Sequence, residues 1–261
     1  MLALFADIGE RGMGALLLYG LLVIAYIIGF GLRHAWRKQA LPFNAVTLGC
    51  WLISTFFFAQ ALIFTMTQLY LASGSPRRKE LLAQTGVMFE RIAAPIDETP
   101  QVAENPRDYV IRMAVEKAES GWQHLIALGL TLKPVLASDT SVVFADEILG
   151  KPLDAADAAA MLRKLSGNTH EVLTSLALRD EHGVQTRLSV SRVTFAQLSE
   201  AQIATYVASG EPMDKAGAYG IQGLGGVFVA HLDGSFTGVM GLPLHDTAAL
   251  LAEHGLGILA Q

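Results

Sequence analysis

The stretch Leu69-Tyr70-Leu71-Ala72-Ser73-Gly74-Ser75-Pro76-Arg77-Arg78 decides the fold class of this chain. Leu69–Ala72 is a short apolar run that reads as a buried strand. Ser73-Gly74-Ser75 supplies a tight small-residue turn. Pro76 suits the first position of a helix, because its missing N–H is one that the helix cannot use. The helix continues through Lys79-Glu80-Leu81-Leu82. A strand, a Gly/Ser turn and a helix N-terminus bearing two arginines make an anion site. Free N–H groups and the helix dipole favour negative charge there, and guanidinium forks match phosphate oxygens. The plainer alternative is a serine N-cap followed by solvated arginines.

Strand and helix patterns alternate onward from this unit. Val87–Ala93 reads as a strand, followed by a polar loop over Pro95–Pro106. Arg107–Ser120 has helical periodicity, with Val110, Met113, Ala114 and Lys117 on one face. Pro134–Ala137 reads as a strand ending in Ser138-Asp139-Thr140, and Ser141–Ala145 as a second extended piece. Ala155–Leu165 is a helix capped by Asp154. His170–Arg179 and Val184–Gln197 form a hairpin about Asp180-Glu181-His182-Gly183. A helix capped by Ser199, a strand over Val227–Leu232 and a helix near His245–His254 complete the pattern. The class is α/β, and the hairpin makes the sheet mixed.

Before Met66 the composition changes. Charged residues are 16% of the 261 and mean hydropathy is +0.39, too apolar for an ordinary soluble enzyme. Met13–Leu32 carries no charge, nor does Gln39–Pro76. Each is long enough for a membrane span, which needs roughly 20 apolar residues. Neither reads as a cleavable signal peptide. Residues 1–65 are therefore expected to be an N-terminal extension of two hydrophobic helices, and 66–261 a globular domain. The loop Arg33-His34-Ala35-Trp36-Arg37-Lys38 between the spans is basic, which sets it in the cytoplasm and the globular domain outside. A nucleotide site would have little use there. Met66 offers the resolution: residues 1–65 are either upstream of the true start or a dispensable anchor. The globular domain is then cytoplasmic, with membrane contact only through residues 1–65.

Four of the 19 Lys+Arg and two of the 24 Asp+Glu precede Met66. The remainder is net −7, which argues against a nucleic-acid duplex as partner. The one cysteine, Cys50, leaves the globular part without a disulfide, a thiolate metal site or a catalytic Cys.

Several residues there are suited to chemistry. Asp139 and Thr140 follow an apolar strand, where α/β proteins place ligand groups; an Asp closing a turn is the alternative. Asp97 and Glu98 lie in the loop after another strand. Carboxylates from two strand ends can hold one Mg²⁺, whereas a solvated acidic loop needs no ligand. Lys117 lies on a helix with Glu116 and Glu119, so surface pairing accounts for it equally. Lys151, between Gly150 and Pro152, is held on a constrained backbone that suits a phosphate contact or a solvated turn. His170 reads as a strand-edge histidine. Asp214-Lys215-Ala216-Gly217-Ala218-Tyr219-Gly220-Ile221-Gln222-Gly223 lets backbone approach a flat ligand. Gln222 presents an acceptor and a donor together, complementary to the N3–H and O4 edge of uracil or thymine, unless the loop is a plain connector.

Taken together, these stretches resemble the Maf family of nucleoside triphosphate pyrophosphatases from about Gln68 to Gly255. The motifs occur in family order. Leu71–Arg78 is followed by Asp97-Glu98-Thr99, Val115-Glu116-Lys117-Ala118, Ala137-Ser138-Asp139-Thr140 and Gly150-Lys151-Pro152. Leu165-Ser166-Gly167-Asn168-Thr169-His170, Asp214–Gly223 and Gly241-Leu242-Pro243-Leu244 complete the series. The ending Ala218-Tyr219-Gly220-Ile221-Gln222-Gly223 is similar to the dTTP/UTP branch. The resemblance implies a Maf/inosine-triphosphatase-like, two-lobed mixed sheet with a central cleft, a homodimer, and metal-dependent hydrolysis (Mg²⁺ or Mn²⁺) of dTTP and UTP to the monophosphate and pyrophosphate. It implies Asp139 as the catalytic proton acceptor and specificity roles for Arg77, Thr140 and Gln222; Asp139 and Glu98 are read as the carboxylates that hold the metal. Substrate binding and specificity fall to Ser73, Arg77, Arg78, Lys117, Thr140, Lys151 and Gln222. Modified pyrimidine nucleotides fit the same expectation. The rival reading is a membrane-tethered nucleotide-binding module that restrains septum formation without turnover.

Overall fold

The computed structural model describes residues 67–258. The two hydrophobic helices expected within residues 1–65 lie outside this range. Among the described residues no helix is long and apolar enough to cross a membrane.

The deciding stretch forms the expected unit. Strand β1 (Leu69–Leu71) turns through Ser73–Ser75 into helix α1 (Pro76–Gln84), whose N-cap Ser75 accepts a hydrogen bond from the Arg78 N–H. Strand β2 (Phe89–Arg91) follows. Helix α2 (Pro106–Ala127) starts on an Asn105 cap and runs past the expected end near Ser120. Gly121 does not stop it. A Cβ there would stand 3.0 Å from Val135 Cγ1 and 3.1 Å from Ala72 Cβ, so this glycine brings the helix against the sheet.

Strand β3 (Val135–Phe144) is continuous through Ser138-Asp139-Thr140, which the sequence reading made a strand end. A hairpin joins it to β4 (Glu147–Leu149). Its turn residues Ala145 and Asp146 both have positive φ, the conformation of a two-residue hairpin loop that Asn-Gly normally signals. Helix α3 (Ala155–Leu165) carries the expected Asp154 cap. The long hairpin β5 (Thr169–Asp180) and β6 (Gly183–Phe195) pairs in register from Thr169↔Thr194 to Asp180↔Gly183. Helix α4 (Glu200–Ala208) has a Ser199/Gln202 capping box. Short 3₁₀ turns, strand β7 (Val229–Asp233), helix α5 (Phe236–Val239) and helix α6 (Leu244–Glu253) close the chain.

The sheet order is β2-β1-β3-β5-β6-β7, with β4 beside β3. β1 pairs in parallel with β2 and β3; the other pairings are antiparallel. The sheet is therefore mixed, as the hairpin requires. Separate cores lie toward the two ends of β3 and β5. Near their β1 end, Leu71, Leu136, Leu178 and Leu251 pack on one face, and Tyr70, Ala114, Trp122 and Val135 on the other. Toward the other end Val142, Leu162, Val172, Phe195, Tyr206 and Tyr219 form a second core. β1 last pairs β3 at Leu71↔Leu136, and β4 first pairs it at Val142. Between those points this edge of β3 carries Ser138, Asp139 and Thr140, and the cleft opens there.

Candidate active site

A cleft of about 1180 Å³ is lined by Ser73, Arg77, Arg78, Glu98, Lys117, Asp139, Thr140, Lys151 and Gln222 together. These are the site residues expected from the sequence, Asp97 excepted, drawn from separate elements. The volume lies just above the roughly 300–1,000 Å³ typical of small-molecule sites.

Lys117 links the acidic residues. From α2 its Nζ lies 2.7 Å from Asp139 Oδ1 and 2.6 Å from Glu98 Oε1. Its expected partners are engaged elsewhere: Glu116 pairs with Arg112 and Glu119 with Arg179. Lys117 and Asp139 are 12% and 13% exposed, Glu98 58%. The hydrogen bond from Lys117 holds the Glu98 carboxyl below its usual range against the opposing effect of burial. Two carboxylates that meet at one cation centre fit a divalent metal with oxygen ligands. Among the described residues no cluster of three or more His, Cys, Asp or Glu is placed to hold a metal. Glu98 and Asp139 would therefore need oxygens from the ligand and water to complete a coordination shell. Asp97 is not among the cleft-lining residues; its Oδ1 accepts from the Thr99 N–H at 2.9 Å and closes its own loop.

The two arginines have different surroundings. Arg78 donates from Nε to the Gly241 carbonyl (2.9 Å), from Nη2 to Thr140 Oγ1 (3.2 Å) and from Nη1 to Ser73 Oγ (3.5 Å). Burial pulls its pKa below the ordinary value, partly offset by Asp139. It is a half-buried post joining the Ser73 turn, β3 and the segment before α6, rather than a solvated arginine. Arg77 sits farther out and pairs with Asp214 at 3.1 Å. Thr140 Oγ1 also accepts from Thr174 Oγ1 at 3.1 Å. The Gly217 N–H donates to the Gly150 carbonyl at 3.0 Å, which ties the Lys151 turn to the glycine-rich segment.

The sequence reading passed over several residues that support the site. The Tyr109 hydroxyl donates to the Glu98 carbonyl at 2.9 Å, and Arg112 holds the same loop through Glu104 and the Thr99 carbonyl. Nothing in the sequence indicates what Tyr109 and Arg112 bind, because their partners lie in an irregular loop. His170 lies in the interior rather than at a strand edge. It hydrogen-bonds Tyr219 Oη at 2.8 Å and stacks edge-on with Phe195 and Tyr219; burial lowers its pKa to about 4.

This arrangement lines one cleft with cations, carboxylates and an amide on a glycine-rich loop. It suits a polyanion attached to a flat, hydrogen-bonding group. A family model described as "Maf-like protein" matches residues 68–254. A Chromobacterium violaceum protein named dTTP/UTP pyrophosphatase is 55% identical over 189 residues, covering 72% of this chain and 96% of that protein. An Escherichia coli protein of the same name is 56% identical over 188 residues, covering 72% and 93%. A Pasteurella multocida protein, again of that name, is 52% identical over 193 residues, covering 72% and 96%.

Proposed function

The chain belongs to the Maf family, and from that membership we propose that it is a nucleoside triphosphate pyrophosphatase that hydrolyses dTTP and UTP. The observation that carries the reading is the convergence of Asp139, Glu98 and Lys117 in a cleft that also holds Arg77, Lys151 and Gln222. The family's enzymes depend on a metal. Here Glu98 and Asp139 would hold a divalent cation, Mg²⁺ or Mn²⁺, which neutralises charge on the triphosphate when bound.

Water attacks the α-phosphorus in line. The bond from that phosphorus to the bridging oxygen breaks, and pyrophosphate leaves with the electron pair. Asp139 orients the water and takes its proton. Lys117, Lys151 and Arg77 face the polyphosphate, with Arg77 exchanging its exposed partner Asp214 for phosphate oxygens. Arg78 adds positive charge from behind Ser73 and Thr140, and fixes both. Such catalysis is positioning and electrostatics. Gln222 reads the N3–H and O4 edge. A site built to pair with that edge rejects cytosine, which leaves its groups unpaired. Pyrimidines modified at C5 present the same edge and fit the same site.

Release of pyrophosphate by the full chain from each standard nucleoside triphosphate, with Mg²⁺ or Mn²⁺ and with chelator, tests this. Metal-dependent release from dTTP and UTP supports it; release from purine nucleotides alone, or from none, overturns it. The reading also takes residues 66–261 as the catalytic domain, homodimeric and cytoplasmic, with membrane contact only through residues 1–65. The membrane-tethered binding module gains no support, since the relatives bear an enzyme's name.

A further inference from the structure

The loop that carries Gln222 is folded around an internal anion. Glu211 lies in the 3₁₀ turn Glu211–Asp214, eleven positions before Gln222 in sequence. Its Oε2 accepts the Leu224 N–H at 2.9 Å, and its Oε1 accepts the Gly225 N–H at 3.1 Å and the Tyr206 hydroxyl at 2.9 Å. Tyr206 Oη in turn accepts the Gly220 N–H at 3.1 Å. Backbone donors on both sides of Gln222 therefore end on one carboxylate–phenol pair. Two successive N–H groups around one anion make a nest, and bonds to an ionised acceptor are roughly twice as strong as neutral ones. Burial pushes the Glu211 pKa up, but the hydrogen bonds from Gly225, Leu224 and Tyr206 hold it below its usual value.

The fit is tight. A Cβ on Gly223 would stand 2.5 Å from Glu211 Oε2, so only glycine lets the carboxylate sit beneath the loop. The Gly223 N–H closes the turn on the Gly220 carbonyl at 3.1 Å. Tyr206 is 4% exposed and fixed edge-on against Phe228 at 4.9 Å. The Gln222 side chain is exposed and takes its direction from this backbone.

We propose that Glu211 is a positioning residue for base selection: it folds the Gly220–Gly225 backbone so that Gln222 meets the base edge, with Tyr206 as its relay. The proposal rests on the reading of Gln222 given above.

The test is binding of non-hydrolysable α,β-imido UTP and α,β-imido CTP to the full chain with Mn²⁺, by calorimetry. Wild type, Glu211→Gln, Tyr206→Phe and Gly223→Ala are compared, each checked for a cooperative melt. The wild type should prefer the UTP analogue. The variants should lose that preference by about tenfold or more, since misplacing a binding group by 1 Å can cost ~10²-fold. The loss should fall on UTP, with CTP binding unchanged. A merely structural Glu211 would lower the melting temperature and leave the UTP-to-CTP ratio intact; that result in folded variants overturns the proposal. Should Glu211→Gln fail to fold, Tyr206→Phe and Gly223→Ala decide alone. A wild type without preference overturns the reading of Gln222, and this role with it; a preference kept in the variants overturns only Glu211.

Discussion

Lys117→Met removes an ammonium that stands between two carboxylates and keeps most of the side chain's length. Breaking a buried ion pair costs ~3–5 kcal/mol because it strands a charge, whereas an exposed pair contributes ~0–1 kcal/mol. Lys117–Asp139 lies near the first limit, with exposures of 12% and 13%, and Lys117–Glu98 near the second, Glu98 being 58% exposed. The expected loss at neutral pH is therefore about 2–4 kcal/mol, bounded by those two cases. At ~2–4 °C per kcal/mol for a domain of this size, the melting temperature should fall on the order of 10 °C. The pH dependence follows from Glu98, whose carboxyl Lys117 holds below its usual range. A lowered carboxyl pKa stabilises the fold above the unfolded value, ~4.3, and that stability is lost as pH falls through the folded value. The gap between wild type and variant should thus be full at neutral pH and shrink in acid. The variant also frees both carboxylates for metal. Without nucleotide, Mn²⁺ should raise its melting temperature more than it raises that of the wild type, since a ligand at 100 times its Kd contributes ~2.7 kcal/mol. Scanning calorimetry of the full chain, with chelator or Mn²⁺, measures both effects. A variant as stable as wild type at neutral pH, with no gain from Mn²⁺, refutes the bridging role.

Three further outcomes are expected. Asp139→Asn should retain the fold and lose at least ~10²–10⁴-fold in turnover of UTP, the range for a general base; steady-state kinetics with most activity retained would contradict it. Gln222→Ala should erode the preference for UTP and dTTP over CTP, read as a ratio of kcat/KM values, and an unchanged ratio would remove Gln222 from base selection. His170, held near a pKa of about 4 by burial, stays neutral in the fold while the unfolded chain binds a proton. Wild-type stability should therefore decline by up to ~3 kcal/mol as pH falls from ~6.5 to ~4. His170→Leu, which costs ~1–3 kcal/mol by unpairing the Tyr219 hydroxyl, should flatten that decline; an identical slope in thermal melts would contradict the assignment.

Local rules made much of this legible. Pro76 after Ser75, Asp154 before Ala155 and Ser199 three residues before Gln202 mark helix starts through backbone donors that need partners, and each cap forms. The Asp180–Gly183 turn fixes the long hairpin, and hence the mixed sheet. Residues that depend on partners distant in sequence were not legible. Glu116 and Glu119 on its own helix account for Lys117 equally in sequence, but the pairing that matters joins it to β3 and a loop. In sequence Arg78 reads either as an anion ligand or as a solvated arginine, because the Gly241 carbonyl that fixes it lies 163 residues away. The hairpin to β4 carries no sequence signal, because Ala145-Asp146 adopts positive φ without the usual glycine. The sequence pattern ends α2 near Ser120, but the helix runs on through Gly121, whose absent side chain serves packing against Val135. Glu211 gave no signal, since its partners are backbone N–H groups of a glycine-rich segment.

The most direct test of the central claim is hydrolysis of UTP by the full chain in ¹⁸O-labelled water, with mass analysis of both products. The account predicts UMP carrying one labelled oxygen and unlabelled pyrophosphate, because water attacks the α-phosphorus. Label in pyrophosphate, or release of inorganic phosphate with UDP, would contradict it.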